Sequence, residues 1–358
     1  MNALHTPPHS VTIAAHRGAS RRYPENSLAA IKEAINIAFE NPNTNFFIEL
    51  DVHKTADHFL VIMHDSDVSR TTQSQGRIEE MTLNQLQALK MRPLSEILPP
   101  NDHCPNRSTI PLFPVTDEDM RVPTLAEVMA LVQHTNEHRI KPIGLALDIK
   151  SDNPSKNPVT VGTRSIASGI SEVLDFFGLT GSSDALSPPS GSNRYIASLL
   201  NHIDALPPLL LFTSDGLAGK RNLEDIWQYT DQDTRQQLSN GHLNVATPTL
   251  LVNKQVNHPG KRLALEGLQH GKRFWAMGDT SMMPLISTAQ PRNSQTDIAE
   301  AIEAGANFIN SDYPDKAIRV LEKYKQQPPP IDQSSPRSFL QQEAMRGQNG
   351  CQGHGVTI

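Results

Sequence analysis

The sequence predicts an α/β protein built on a parallel sheet, and three observations support this expectation. Short apolar strands alternate with amphipathic helices, a pattern typical of a parallel sheet that is either open and doubly wound or closed as a barrel. Three strands end in charged residues, as in barrels whose reactive groups lie at the C-terminal ends of several strands. The 358 residues suit one barrel with insertions, although two ordinary domains would also fit. We therefore expect a closed α/β barrel.

The first half of the chain shows the alternation of strands and helices most clearly. Residues 11–15 are apolar and β-branched and predict a buried strand, and a helix follows in which Asn26 or Ser27 can cap the free N–H groups. Residues 46–52 and 59–63 predict two further strands. Thr82 and Gln85 have the spacing of a capping box and predict the start of the next helix.

The second half has a weaker pattern. Residues 91–121 predict an insertion or long loop, and a capping box at Thr124 and Glu127 predicts a helix through residue 132. Residues 178–193 are rich in Ser, Gly and Pro and predict another loop. Further strands are expected over 143–150, 208–212, 273–277 and 306–310. We assign 1–325 to the barrel and 326–358, which is rich in Gln, Pro, Ser and Gly, to a tail.

Composition and charge exclude several classes of protein. The net charge is −6 and no stripe of Lys and Arg is visible, which argues against a nucleic-acid partner. No apolar run approaches the about 18 residues of a membrane-spanning helix, so no transmembrane segment is expected. Residues 1–10 lack the features of a signal peptide, so cytoplasmic residence is the default expectation, with export by another route left open. The distant Cys104 and Cys351 predict no disulfide, and no dinucleotide fingerprint is present.

Two carboxylates on one predicted strand suggest a metal site. Glu49 and Asp51 are separated by two positions, so their side chains lie on one face with Cα atoms roughly 6.6 Å apart. Inside a barrel, a hard divalent cation such as Mg²⁺ or Ca²⁺ would offset the cost of burying them. The alternative is a solvent-facing strand edge.

Other charged groups also follow predicted strands. Asp148 and Lys150 repeat the two-residue spacing, and the alternatives to a site there are an internal ion pair or a solvated strand end. His16 and His64 each come just after a strand, where an imidazole pair can act as general base and general acid. The Arg17 guanidinium suits a phosphate, or else a salt bridge to Glu25.

These residues stand in motifs that resemble the glycerophosphodiester phosphodiesterase family. The motifs occur in order and with matching spacing, and they are His16-Arg17-Gly18, Pro24-Glu25-Asn26-Ser27, Glu49-Leu50-Asp51-Val52, His64-Asp65 with Arg70-Thr71-Thr72, and Val122-Pro123-Thr124-Leu125. Near the C-terminal end, Ala304-Gly305-Ala306-Asn307 through Ser311-Asp312-Tyr313-Pro314 is similar to the family's closing segment.

The resemblance implies a TIM (β/α)8 barrel and a set of roles. It implies the general acid and base at His16 and His64, phosphate-binding cations at Arg17 and Lys150, an aromatic substrate wall at Trp275, and metal ligands at Glu49, Asp51 and Asp148. The family usually has Glu where this chain has Asp148. Further departures are Ser27 for Thr, Gly278 for Asn, and Asn310-Ser311-Asp312 for Thr-Asp.

The function implied by the resemblance is metal-dependent hydrolysis of small glycerophosphodiesters to glycerol 3-phosphate and an alcohol, with Mg²⁺ or Ca²⁺ as cofactor. One alternative is a lipid-directed enzyme on the same barrel, either a lysophospholipase D or a phospholipase of the sphingomyelinase D type. Another is a barrel without catalytic activity that binds phosphodiesters or a protein partner. The sequence leaves the oligomeric state open.

Overall fold

Eight of the nine described strands form one closed ring. The computed structural model describes residues 11–99, 108–109, 111–150, 169–170, 172–173, 176, 185–187, 209–212, 231–237, 243–248, 274–277, 295–303 and 308–326. Its strands are β1 (Thr12–His16), β2 (Asn45–Lys54), β3 (Leu60–Ile62), β4 (Ile143–Ile149), β5 (Ala185–Ser187), β6 (Leu209–Phe212), β7 (Leu243–Pro248), β8 (Phe274–Met277) and β9 (Phe308–Ser311). All except β3 pair in parallel in the order β1-β2-β4-β5-β6-β7-β8-β9, and β9 pairs with β1 again. The expected (β/α)8 barrel is therefore confirmed.

Three of the helices begin where the capping signals predict. The described helices are α1 (Leu28–Glu40), α2 (Leu83–Gln87), α3 (Leu94–Ile97), α4 (Leu125–Asn136), α5 (Gln232–Gln237), α6 (Gln295–Glu303) and α7 (Pro314–Lys325). The Ser27 hydroxyl caps α1 by accepting the N–H of Ala30 at 3.1 Å. Both predicted capping boxes, at Thr82 for α2 and Thr124 for α4, are present because each hydroxyl and its partner side chain satisfy backbone N–H groups that the helix leaves free.

The main hydrophobic core lies between the barrel and four of the helices. Buried side chains of β1, β2 and β4 pack with apolar residues of α1, α4, α6 and α7, and Ile13, Ile31 and Leu50 in this layer have no exposed surface. This packing fixes the positions of the ends of β1, β2, β4 and β9 relative to one another. Among the described residues, no helix combines the length and the apolar character needed to cross a membrane.

Several elements differ from the prediction. The strand predicted over 59–63 is observed as β3, an antiparallel partner of β2 outside the ring. The loop prediction for 178–193 is wrong at β5, because these three residues add a parallel strand between β4 and β6. The predicted long loop over 91–121 contains α3 and a 3-10 turn at Asp117–Asp119. The sequence pattern did not predict strand β7 or helices α5 and α7. The tail beyond residue 326 lies outside the described residues.

Candidate functional site

The turn after β1 brings two predicted site residues to the mouth of the barrel. His16 is the last residue of β1, and Arg17 and Gly18 follow with φ angles of 55° and 80°. A Cβ atom at Gly18 would lie 2.8 Å from the backbone carbonyl of Ala30, so both the conformation and the close contact require glycine. The chain therefore turns sharply at Gly18 and packs against α1.

Three carboxylates meet at the ends of β2 and β4. Asp51 and Asp148 are direct neighbours in the strand register, and Glu49 lies two residues earlier on the same face of β2. Each offers an oxygen within 4.8 Å of the others. Glu49 and Asp51 are buried, whereas the Asp148 side chain is 13% exposed. The alternative of a solvent-facing strand edge for Glu49 and Asp51 is therefore wrong.

Two cations contact this acidic cluster of Glu49, Asp51 and Asp148. The Lys150 ammonium lies 2.8 Å from Asp51 Oδ1 and donates to Asp148 Oδ2 at 2.6 Å. The Arg17 backbone N–H donates to Glu49 Oε2 at 2.9 Å, and its Nε lies 3.3 Å from Asp51 Oδ2. The ion pair of Asp148 with Lys150, which the sequence allowed as an alternative to a site, is thus present within the cluster itself.

Burial and unequal pairing separate the pKa values of the three acids. Burial and the charge of Asp51 raise the pKa of Glu49 to about 7. Burial also acts to raise the pKa of Asp51, but Lys150 and Arg17 outweigh it and lower that pKa well below its usual range. For Asp148, burial and Asp51 outweigh Lys150, so its pKa is raised. Asp51 therefore has the most compensation for a negative charge, and Glu49 and Asp148 have less.

The donor atoms of the cluster suit a hard divalent cation. All three ligand groups are carboxylates, which Mg²⁺ and Ca²⁺ prefer over nitrogen or sulfur. The Asn26 amide lies against the cluster and donates to Asp51 Oδ2 at 2.7 Å. The amide oxygen of Asn26, Oδ1, is buried and has no hydrogen-bond partner among the described residues, so it is a further oxygen atom that could bind a cation. The residues present therefore fit such a cation.

His16 is held by a carboxylate from the opposite end of the chain. Its Nδ1 lies 2.6 Å from Oδ1 of Asp312, which directly follows β9 and also accepts hydrogen bonds from Ser20 and Arg21. Burial and Arg17 act to lower the pKa of His16, but Asp312 and Glu49 outweigh them and raise it. A carboxylate on Nδ1 orients the ring and leaves Nε2 for proton transfer; here Nε2 lies 4.0 Å from Glu49 Oε2.

His64 has a similar arrangement on the other side of the site. It follows β3 rather than a strand of the ring, so the hairpin of β2 and β3 brings it to the barrel mouth. Its Nδ1 lies 2.6 Å from Asp65 Oδ1, and Arg70 contacts the second oxygen of Asp65. Arg70 also donates to Glu25 at 2.6 and 3.0 Å, and Glu25 accepts from Arg17 at 2.8 Å. Glu25 thus links the two histidine sides.

Both histidines line one cavity of about 370 Å³. The lining residues are His16, Arg17, Ser20, Arg21, Glu25, His64, Asp65, Arg70, Leu94, Ile97, Leu98 and Asp312. Nine of these twelve residues are polar or charged, and the three apolar ones belong to α3 and the residue after it. The cavity therefore combines two imidazoles, several cations and one apolar side.

The predicted site residues come together with two qualifications. Lys150 is paired with Asp51 and Asp148 and is not among the residues lining the cavity, whereas Arg17 lines it and also forms the salt bridge to Glu25 that the sequence allowed. Trp275 lies in β8, where its backbone pairs with Ala246 and Phe308, and its side chain is outside the described part of the chain. The substrate-wall role of Trp275 stays a prediction.

Sequence reasoning assigned no role to several residues that complete the site. Asp312 directly follows a barrel strand and Asp65 directly follows His64, so position alone could have suggested both. Nothing local marks Arg21 as a partner of Asp312, because the two lie 291 residues apart along the chain.

Comparison with known proteins agrees with this geometry. Residues 16–167 match the Glycerophosphoryl diester phosphodiesterase family. A glycerophosphodiester phosphodiesterase of Caldanaerobacter subterraneus is 40% identical over 77 residues, which are 22% of this chain and 29% of that protein. Human glycerophosphodiester phosphodiesterase 1 is 37% identical over 120 residues, which are 34% of this chain and 30% of that protein. The matches thus span less than a third of these curated relatives.

Solved structures extend the likeness over the whole barrel. An Oleispira antarctica phosphodiesterase in complex with the product sn-glycerol-3-phosphate superposes with a TM-score of 0.56 at 18% identity, covering 87% of this chain and 96% of that one. A glycerophosphoryl diester phosphodiesterase of Parabacteroides distasonis gives 0.57 at 18% identity, covering 94% and 92%. At this identity the structures show a shared fold. Residues 16–167 are thus similar in sequence to the glycerophosphoryl diester phosphodiesterase family, and the chain shares its fold with solved structures of such enzymes.

Proposed function

We propose that this chain is a metal-dependent phosphodiesterase that hydrolyses small glycerophosphodiesters to glycerol 3-phosphate and an alcohol. The observation that carries the proposal is a single cavity lined by two histidines, each with a carboxylate on Nδ1, beside the acidic cluster. Such an arrangement can move two protons and compensate the charge of a phosphate. The product named for the Oleispira antarctica structure supports the same chemical class.

Glu49, Asp51 and Asp148 would hold the cation, either Mg²⁺ or Ca²⁺. When bound, such an ion supplies Lewis-acid stabilisation of a phosphoryl oxygen. Arg17 contributes a permanent positive charge, and the carboxylates of Asp51 and Glu25 hold it on the wall of the cavity. We assign it to the substrate phosphate. Lys150 neutralises part of the cluster and would reach a phosphate only if its ammonium left Asp51 or Asp148.

The two histidines would act as proton carriers in two steps. In the first, the 2-hydroxyl of glycerol attacks phosphorus, one histidine takes the hydroxyl proton, and the other protonates the departing alkoxide. The product of this step is a cyclic phosphate. In the second step, water opens the ring and the two histidines exchange roles, which restores their starting protonation states. Asp312 and Asp65 would keep each ring in the tautomer with a proton on Nδ1.

The direct test is release of glycerol 3-phosphate from glycerophosphocholine with added Mg²⁺ or Ca²⁺. We expect turnover, and we expect a chelator to abolish it. His16→Ala and His64→Ala should each lower kcat by a factor of about 10²–10⁴, the usual contribution of general acid–base catalysis. Full activity in either variant, or no response to chelator, would contradict the mechanism. Phosphodiester binding without turnover would favour the barrel without catalytic activity.

A second candidate is a lysophospholipase D that uses the same site. It is favoured by the apolar side of the cavity, where Leu94, Ile97 and Leu98 are only partly exposed and could contact an acyl chain. Comparison of kcat/KM for glycerophosphocholine and a long-chain lysophosphatidylcholine separates the two candidates. If lysolipid is preferred, Ile97→Asn should lower the preference severalfold. If glycerophosphocholine alone reacts, the second candidate is wrong and the first stands.

A further inference from the structure

A second group of metal-ligating side chains lies at the end of α4, away from the catalytic cavity. His134, Glu137 and His138 are separated by three and one positions, so they lie on one face of a helical turn. All three are exposed, and none of them lines the cavity. Neither the family resemblance nor the proposed reaction uses them.

The backbone keeps this helical spacing through the third residue. Glu137 follows the last residue of α4 with φ −58° and ψ −24°, and its N–H donates to the carbonyl of Gln133 at 3.2 Å. The N–H of His138 donates to the carbonyl of Thr135 at 3.1 Å. The two histidines therefore lie about one turn apart on a continuous helical path.

The side chains are already close to each other. Each offers a ligand atom within 4.8 Å of the other two, and His134 Nδ1 lies 3.6 Å from Glu137 Oε2. The two imidazole rings are 5.6 Å apart and nearly perpendicular. The centroid of the Phe113 ring lies 6.2 Å from that of the His134 ring.

We propose that His134, Glu137 and His138 bind a divalent transition metal of the Zn²⁺, Ni²⁺ and Cu²⁺ group. Two imidazoles and one carboxylate suit these ions, whereas the acidic cluster in the barrel offers only oxygen and suits Mg²⁺ or Ca²⁺. Zn²⁺ binds nitrogen and oxygen ligands at about 2.0–2.2 Å, so neighbouring ligand atoms must approach to about 3.5 Å. Exposed side chains can close that distance by rotation without moving the helix.

The site is incomplete by itself and open to solvent. Three protein ligands leave at least one position of a tetrahedral ion for water or for a group of another molecule. Binding would hold the end of α4, because one ion would join the last helical turn to the two residues that follow it. We therefore expect added metal to stabilise the folded chain.

The experiment titrates Zn²⁺ into the tag-free full chain in excess Mg²⁺, with a zinc indicator dye as competitor. The variants are His134→Ala, His138→Ala and Glu137→Gln. His58→Asn is the matched control, because it removes another exposed histidine and because asparagine tolerates the left-handed backbone at residue 58, where φ is 71°. Glycerophosphocholine hydrolysis in Mg²⁺ alone is measured in parallel.

We expect each histidine variant to lose one equivalent of bound Zn²⁺, or to bind it at least tenfold more weakly. His58→Asn should bind like the unmodified chain, and all variants should keep their activity in Mg²⁺. Zn²⁺ should raise the midpoint temperature of thermal unfolding of the unmodified chain, and it should raise that of His138→Ala less. Identical Zn²⁺ uptake by the unmodified chain and both histidine variants, or an equal loss in His58→Asn, would overturn the proposal.

Discussion

Replacing Asp312 by Asn should remove most of the catalytic rate, because the proposed proton transfer at His16 depends on that carboxylate. The Asp312 carboxylate and the His16 ring are in direct contact at 2.6 Å, and both residues are 5% exposed. When His16 gains a proton, the new charge lies roughly 4 Å from the carboxylate. At an effective dielectric constant of about 20 this attraction is about 4 kcal/mol. Each 1.36 kcal/mol corresponds to about one power of ten in rate, so we expect kcat to fall about a thousandfold.

The assay is glycerol 3-phosphate release at saturating substrate and metal, with urea unfolding measured on each variant. Asp315→Asn is the matched control, because Asp315 lies three residues from Asp312 and pairs with Arg22 at 3.0 Å and Arg319 at 2.7 Å, and it contacts no histidine in the described part of the chain. Its kcat should stay within about threefold of the unmodified chain, in keeping with a change away from the reacting groups.

A double-mutant cycle separates positioning from a general structural effect. If Asp312 acts through His16, then Asp312→Asn should have little further effect on kcat in a chain that already carries His16→Ala. The reasoning is refuted if Asp312→Asn keeps kcat within threefold of the unmodified chain. It is equally refuted if Asp315→Asn loses as much rate, or if the two effects multiply in the double variant.

Three further predictions concern the metal, acid stability and the turn after β1. Glu49→Gln removes one of three carboxylates, so the Mg²⁺ or Ca²⁺ concentration for half-maximal activity should rise at least tenfold; an unchanged metal requirement would argue against Glu49 as a ligand. Burial acts to raise the pKa of Asp65, but hydrogen bonds to His64 and Arg70 outweigh it and lower that pKa. The ionised carboxylate therefore stabilises the folded state above pH 3.8, the pKa of Asp65 in the unfolded chain, and this stabilisation is lost as the pH falls from there towards the lower pKa of the folded state. In urea unfolding, the stability gap between the unmodified chain and Asp65→Asn should therefore narrow from pH 7 to pH 3, and a constant gap would contradict this linkage. Gly18→Ala should lower the free energy of unfolding by about 1–3 kcal/mol, because a Cβ there meets the Ala30 backbone 2.8 Å away at a φ of 80°; unchanged urea unfolding would show that the turn can relax.

Local patterns were sufficient for most of the elements that surround the site. Thr82 and Thr124 start helices where their capping boxes predict, because a cap needs only neighbours three residues away. Glu49 and Asp51 share one face of β2, as strand periodicity requires, and His16 ends β1. The family motifs cover the same N-terminal part of the chain, which is why Glu49, Asp51 and both histidines could be named from the sequence as candidates.

Elements that depend on distant partners were not predictable in the same way. Three residues of a segment rich in Ser and Pro form β5 because the ring needs a strand between β4 and β6, and no local pattern announces it. The strand over 59–63 reads like the others, yet its short connection to β2 makes it an antiparallel partner outside the ring.

The sequence by itself determined the α/β class, three capped helices and the candidate carboxylates and histidines of the site, because each follows from spacing within one element or one motif. Only the tertiary structure decided which groups meet. Closure of the ring pairs β9 with β1 and so brings Asp312 to His16 across 296 residues. The tertiary structure also places Lys150 between the carboxylates of Asp51 and Asp148 instead of on the cavity wall, because β2 and β4 are neighbours in the barrel. Contacts of this kind depend on the closed backbone, which spacing along the chain does not encode.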